Sequence, residues 1–211
     1  MIEAVLFDFG GVITSSPFEA FTFYEKEIGL PLGTIRRLNA TNPDSNAWAQ
    51  FERNEIDLDG FVYLFEEEAS SLGFQIDARR VLSGALNPQV RSEMVTVVER
   101  CSKNLKTGLL TNNIRPIQDP ISLGDRSSVD QVISLFDVIV QSSAIGVRKP
   151  ETQFYKTACE ELKVEPSVCV FLDDLGVNLK PAREMGMTTI KVDDPMVAIE
   201  QLETLLGFSM R

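Results

Sequence analysis

The chain has 211 residues, 44% hydrophobic and 24% charged, which is enough for one sizeable core or for a core plus a small second unit and gives the balance of an ordinary globular protein. Its net charge of −11 argues against a broad basic surface for nucleic acid, and no apolar run approaches the length that spans a bilayer. Histidine is absent, which removes Ser/His and Cys/His hydrolase schemes and most zinc chemistry.

The first element is the apolar run Ile2 to Thr14, IEAVLFDFGGVIT, read as a buried strand that delivers Asp8 to its carboxyl end and then breaks at Gly10-Gly11. Taken alone, Asp8 reads more simply as a polar strand stop before a turn. About eighty residues of helical character follow. Phe18 to Ile28, Ser45 to Arg53 and Leu58 to Leu72 carry apolar residues at three- and four-residue spacing, with breaks at Gly29-Leu30-Pro31, Asn42-Pro43-Asp44 and Gly73. Residues 16–85 are therefore expected to form a small all-α unit, with 1–15 and 86–211 forming the core. Trp48 and Phe51 are read as the core of that helical unit, with a grip on substrate as the alternative.

From Pro88 an amphipathic helix is expected through Val90, Met94, Val97, Val98 and Cys101, leading into the strand GLLTNN. Val138 to Val140, Val168 to Leu172 and Thr188 to Val192 read as further strands. Helices are predicted at Glu151 to Leu162, Leu179 to Met185 and Pro195 to Leu206. Short strands alternating with helices predict an α/β fold, a doubly wound, Rossmann-like parallel sheet. Asn113 to Ser128 reads as a long surface connection. Cys101, Cys159 and Cys169 lack metal-ligand spacing and read as reduced core or near-core thiols.

In such a sheet, ligands sit beyond the carboxyl ends of the strands. Reading off what ends each strand gives Asp8, Thr111-Asn112, the 146–150 loop with Lys149, and Asp173-Asp174. Asp173-Asp174 alone also fit a helix-capping turn, and Lys149 alone a solvated loop lysine. Together, three carboxylates would repel one another without a cation, and an oxygen-only set favours Mg²⁺. A metal, an anion clamp and a carboxylate nucleophile are the equipment for phosphoryl transfer through an aspartyl phosphate.

DFGGV at 8–12, LLTNN at 109–113, VRKP at 147–150 and VFLDDLGVNLKPAREMGMTTIKV at 170–192 resemble the four ordered motifs of the haloacid dehalogenase superfamily. The branch resembled is the phosphatase-like domain of soluble epoxide hydrolases and of acyl-CoA dehydrogenase-like proteins, in which a helical cap follows the first strand. The resemblance implies Asp8 as nucleophile and metal ligand, and Gly10 as a ligand through its carbonyl. It further implies Asp173 and Asp174 as metal ligands and Lys149 as the residue steadying phosphate and nucleophile. Thr111, Asn112, Gly11 and Asn178 are expected on the substrate side. One position departs from the pattern: phosphatases of the superfamily usually carry a second aspartate where this chain has Gly10.

Losing that acid/base group typically costs about two to four orders of magnitude in rate. The expectation is a slow Mg²⁺-dependent phosphatase acting on a small phosphorylated metabolite. The alternatives are a phosphate- and metal-binding regulatory module without turnover, and a metal-independent 2-haloacid dehalogenase, against which Asp173-Asp174 speak. Without a signal-peptide pattern at the N-terminus, cytoplasmic residence is expected, with neither nucleic acid nor membrane as partner. The substrate and the oligomeric state are not legible in the sequence.

Overall fold

The computed structural model describes residues 1–86, 88–114 and 126–210. Five parallel strands, β1 (Ala4–Phe7), β2 (Lys106–Thr111), β3 (Val138–Gln141), β4 (Cys169–Asp173) and β5 (Thr188–Lys191), make one sheet in the order β3-β2-β1-β4-β5. β1 is central and fully buried, which is why it reads as a continuous apolar run rather than an alternating one. Its side chains still alternate between two faces: Val5 and Phe7 enter one apolar cluster, Ala4 and Leu6 the other.

Between β1 and β2 lie α1 (Pro17–Ile28), α2 (Thr34–Ala40), α3 (Ala47–Glu52), α4 (Leu58–Ser71), α5 (Ala78–Ala85) and α6 (Ser92–Ser102). Further along come α7 (Arg126–Ile133), the single turn α8 (Ser142–Ile145), α9 (Thr152–Leu162), α10 (Gly176–Glu184) and α11 (Pro195–Leu206). The Val5/Phe7 face is covered by α6, α7 and α11 through Met94, Val98, Val132 and Leu202. α9 and α10 cover the Ala4/Leu6 face through Phe154, Tyr155, Ala158 and Leu179. Cys101, Cys159 and Cys169 are free and buried, and burial pushes the Cys101 thiol up to about 12.

α1 to α5 pack around an apolar cluster of their own. At its centre Phe61 stacks on Phe51 and Phe65 at 4.7 and 5.2 Å, with Trp48 edge-on to Phe61 at 5.2 Å. Helix ends follow ordinary capping chemistry. Ser16 accepts from Phe18 N–H ahead of Pro17, and Asn46 and Asp57 cap α3 and α4 in the same way. The N-cap of α2 is Gly33, which has no side chain to cap with. Buried Glu25 does the work from α1, accepting from the Gly33 and Ile35 N–H groups at 2.7 Å each.

The structure departs from the sequence reading at several boundaries. Pro88 does not open a helix: Val90 bridges antiparallel to Thr14, and α6 starts only at Ser92. α2 and α5 are helices that the periodicity did not disclose. α10 starts at Gly176, ahead of the expected Leu179, and carries Pro181 inside it. Of the expected connection from Asn113 to Ser128, residues 115–125 lie outside the described residues, and α7 opens at Arg126. Among the described residues no helix is long and apolar enough to cross a membrane.

Candidate active site

Strand pairing brings the distant motifs together. Phe7 pairs with Leu172, and the Asp8 N–H donates to the Leu172 carbonyl at 2.9 Å, so Asp8 leaves the sheet beside Asp173, the last residue of β4. On the other side β2 delivers Thr111 and Asn112. The chain order turns back across β1 here, the point at which open α/β sheets leave a crevice for ligands.

Lys149 is the tie. Its ammonium is 1% exposed and lies 2.8 Å from Asp8 Oδ1 and 2.8 Å from Asp173 Oδ2. Burial alone would lower its pKa, but the two contacting carboxylates outweigh burial and hold it above the ordinary lysine range. Asn112 fixes the backbone there in both directions: Lys149 N–H donates to Asn112 Oδ1 at 2.8 Å, and Asn112 Nδ2 donates to the Lys149 carbonyl at 2.9 Å. This is why an extended loop can present a buried lysine accurately.

The three carboxylates are not equivalent. Asp8 Oδ1 takes both Lys149 and the Phe9 N–H, the latter at 2.6 Å, so Oδ2 is left to face a ligand. Asp173 is fully buried and accepts from Lys149, Leu175 N–H and Asn178 Nδ2, the last to both of its oxygens at 3.1 and 3.0 Å. Asp174 is partly open and accepts a long bond from Ser16, at 3.4 Å. Burial raises the Asp8 carboxyl well above its usual range; Lys149 opposes this and the neighbouring acids add to it. Burial, with Asp173 beside it, pushes Asp174 up to about 6. One oxygen from each of the three lies within 4.8 Å of the others.

Gly11 belongs to this arrangement for a steric reason. Its φ is +84°, and a Cβ there would sit 2.3 Å from Asp174 Oδ2, so the carboxylate occupies the space a side chain would take. Gly10 differs: its φ is outside the left-handed region, and an added Cβ would meet only Pro17, at 3.5 Å or more.

A cavity of about 170 Å³ opens beside the carboxylates, with Gly10, Thr111 and Asn112 on its sheet side and Trp48 and Glu52 on its helical side. Pro17, Leu86, Pro88 and Ile114 make most of the remaining wall apolar. Asn178, expected toward substrate, is instead buried behind Asp173 and does not line this cavity; its own carbonyl accepts from Tyr155 OH at 2.7 Å. Sequence reasoning missed Ser16, Tyr155 and Glu52. Only Ser16 carried a signal, as a serine directly before a proline at a helix start.

A sequence profile of haloacid dehalogenase-like hydrolases matches residues 2–186. The chain belongs to that family. Over 99% of its length it is 34% identical to acyl-CoA dehydrogenase family member 10 of Mus musculus, of which it spans only 19%. It is 26% identical to the sesquiterpene phosphatase astK of Aspergillus oryzae, each chain covered to 97%. Among solved structures, a HAD family enzyme from Bacteroides thetaiotaomicron in complex with magnesium and inorganic phosphate superposes with a TM-score of 0.59 at 19% identity, covering 90% of this chain and 94% of that one. The last comparison bears on the fold. As a family member, this HAD-like hydrolase has its expected motif residues Asp8, Thr111, Lys149 and Asp173-Asp174 at one rim of the sheet.

Proposed function

We propose that this chain is a slow phosphate-monoester hydrolase that works through an aspartyl phosphate on Asp8, with residues 16–85 acting as a cap over a core of 1–15 and 86–211. The observation that carries the reading is the buried Lys149 bridging Asp8 and Asp173 with Asp174 alongside. The donor set fits a magnesium ion: three carboxylates with oxygens within 4.8 Å of one another, and a glycine at position 11 that leaves Asp174 its space. Asp8, Asp174 and the Gly10 carbonyl would hold it, with Asp173 contributing chiefly by fixing Lys149. When bound, the ion supplies positive charge that offsets the phosphoryl oxygens and favours the ionised form of both acids.

The chain's own residues do the rest. Asp8 Oδ2 attacks phosphorus, the bond from phosphorus to the leaving oxygen breaks, and the electron pair departs with that oxygen. Thr111 and the ammonium of Lys149 meet the phosphoryl oxygens, while Lys149 keeps the Asp8 carboxylate aimed. A water molecule then attacks phosphorus, the bond to Asp8 breaks, and inorganic phosphate leaves with the carboxylate restored. Gly10 has no side chain to move a proton in either half, so water supplies one to the leaving oxygen and accepts one from the attacking water. The apolar cavity wall favours a small phosphorylated metabolite whose leaving group is apolar where it meets Trp48 and Leu86. The test is phosphate release from p-nitrophenyl phosphate and a panel of alkyl and polyol phosphates with Mg²⁺ and with chelator. Metal-dependent turnover is expected, and none across the panel would overturn the reading. Gly10 also favours a second reading, a module that binds phosphate and metal without turnover.

A further inference from the structure

The only ionisable side chain lining the cavity, among the described residues, is Glu52 at the end of α3. With Gly10 opposite, it is the group one would first ask to replace the absent aspartate. Its hydrogen bonds say otherwise. Oε1 accepts from the Trp48 indole N–H at 3.0 Å, and Oε2 lies 2.5 Å from Arg148 Nε. Both oxygens are acceptors already committed to fixed donors.

What those donors are is informative. Trp48 is the cavity wall on the helical side and is packed edge-on against Phe21 and Phe61. Arg148 is the residue immediately before Lys149, and its Nη1 also reaches the Pro43 carbonyl at 3.0 Å. One carboxylate thus joins the wall that would meet a leaving group to the loop that carries the lysine on Asp8. The next residue repeats the tie with the charges reversed: Arg53 Nε sits 2.8 Å from Glu151 Oε1, just past Pro150 on the core side. The neighbouring pair Glu52-Arg53 faces Arg148 and Glu151, so each side offers one charge of each sign. Such a crossed pair fixes register as well as distance, because sliding one surface past the other brings like charges together.

We propose that Glu52-Arg53 and Arg148/Glu151 form a crossed latch between helical unit and core, in which Glu52 is the positioning residue that sets both the Trp48 wall and the loop bearing Lys149. The idea rests on the phosphatase reading for its kinetic consequence but not for its existence. Arg148→Met leaves the buried Glu52 carboxylate without its cation, whereas the double change with Glu52→Gln removes the stranded charge as well.

The test is a double-mutant cycle of Glu52→Gln and Arg148→Met, read in two ways. Trp48 is the sole tryptophan of the chain, so intrinsic emission reports on it alone. Arg148→Met should shift that emission although it alters no atom bonded to the indole, and Arg53→Met should shift it in the same direction. With p-nitrophenyl phosphate and saturating Mg²⁺, Arg148→Met should lower kcat/KM about tenfold, mainly through KM, and the double variant should recover most of the loss. A purely structural role would move the melting temperature and leave KM at 25 °C unchanged. Independent, multiplying effects in the cycle, or a Trp48 emission indifferent to both Arg148→Met and Arg53→Met, would overturn the latch. If the wild type releases no phosphate, the phosphatase reading fails while the emission arm still decides this one. Should Glu52→Gln not fold, Arg53→Met and Arg148→Met carry the test.

Discussion

Gly10→Asp tests the missing proton carrier directly. Position 10 lines the cavity, its backbone is outside the left-handed region, and an added Cβ meets only the Pro17 ring, at 3.5 Å or more, which is ordinary contact. The backbone therefore admits the side chain without strain. A positioned acid/base group contributes about 10²- to 10⁴-fold, or about 3 to 5 kcal/mol off the barrier. Against this stands one more negative charge beside three, and so the gain should appear only with Mg²⁺ saturating. The assay is steady-state phosphate release from an alkyl phosphate, whose poor leaving group needs the proton, with Gly10→Ala as the control for bulk. Gly10→Asp should exceed wild type at least a hundredfold and Gly10→Ala should not. A folded Gly10→Asp that binds Mg²⁺ yet turns over no faster than wild type would refute the assignment of Asp8 and its neighbours as a catalytic set.

Asp8→Asn should abolish turnover and leave the melting temperature within a few degrees of wild type, since it removes a charge that burial disfavours while Asp173 still pairs Lys149; scanning calorimetry and phosphate release check the two halves. Gly11→Ala should weaken Mg²⁺ binding at least tenfold by calorimetric titration and destabilise the fold by about 1 to 3 kcal/mol, because the new methyl meets Asp174 and the residue keeps φ +84°. The metal-free protein should gain stability on acidification from pH 8 to 5. Asp174 is held at about 6 in the folded chain against 3.8 unfolded, so in that window the folded state takes up the proton and the unfolded state does not. The gain is about 1 kcal/mol by denaturant titration and should vanish with Mg²⁺ present; a metal-free protein that only loses stability on the way to pH 5 would contradict it.

What could be read from the sequence follows from which constraints are local. β1 was legible because a strand buried on both faces is apolar at every position, Ala4 to Phe7. α11 was legible at both ends because Asp194-Pro195 and Gly207 are cap residues acting on their own neighbours. α2 and α5 were not, since each is short and carries its polar residues Arg36, Arg37, Asn39 and Arg79, Arg80, Ser83 between a few apolar anchors. Pro88 misled because Val90 is claimed by a bridge to Thr14, seventy-six positions earlier, and no local pattern encodes that partner. The same limit governs the site. Its polar residues could be listed by strand end, but the separate duties of Asp173 and Asp174, the burial of Asn178 and the engagement of Glu52 with Arg148 depend on contacts across the fold.

The charges of the site compel a further step. Asp8, Asp173 and Asp174 against Lys149 leave an excess of two negative charges in a place where one of the acids and the lysine are almost wholly removed from water. The chain can relieve that excess by taking up protons, which is what the raised Asp8 and Asp174 carboxyls express, or by accepting a divalent cation. A bound cation favours the ionised form of Asp8, and the carboxylate is a far stronger nucleophile than the carboxylic acid. In the proposed metal site, proton and metal would compete for the same oxygens, and the competition would fall at Asp174 rather than Asp173, whose oxygens are already held by Lys149, Leu175 and Asn178. At limiting Mg²⁺ the acid limb of the rate profile should accordingly lie near Asp174's value of about 6 and move to lower pH as Mg²⁺ is raised. A limb that stays fixed across a hundredfold range of Mg²⁺ would mean that Asp174 does not share its oxygens with the ion.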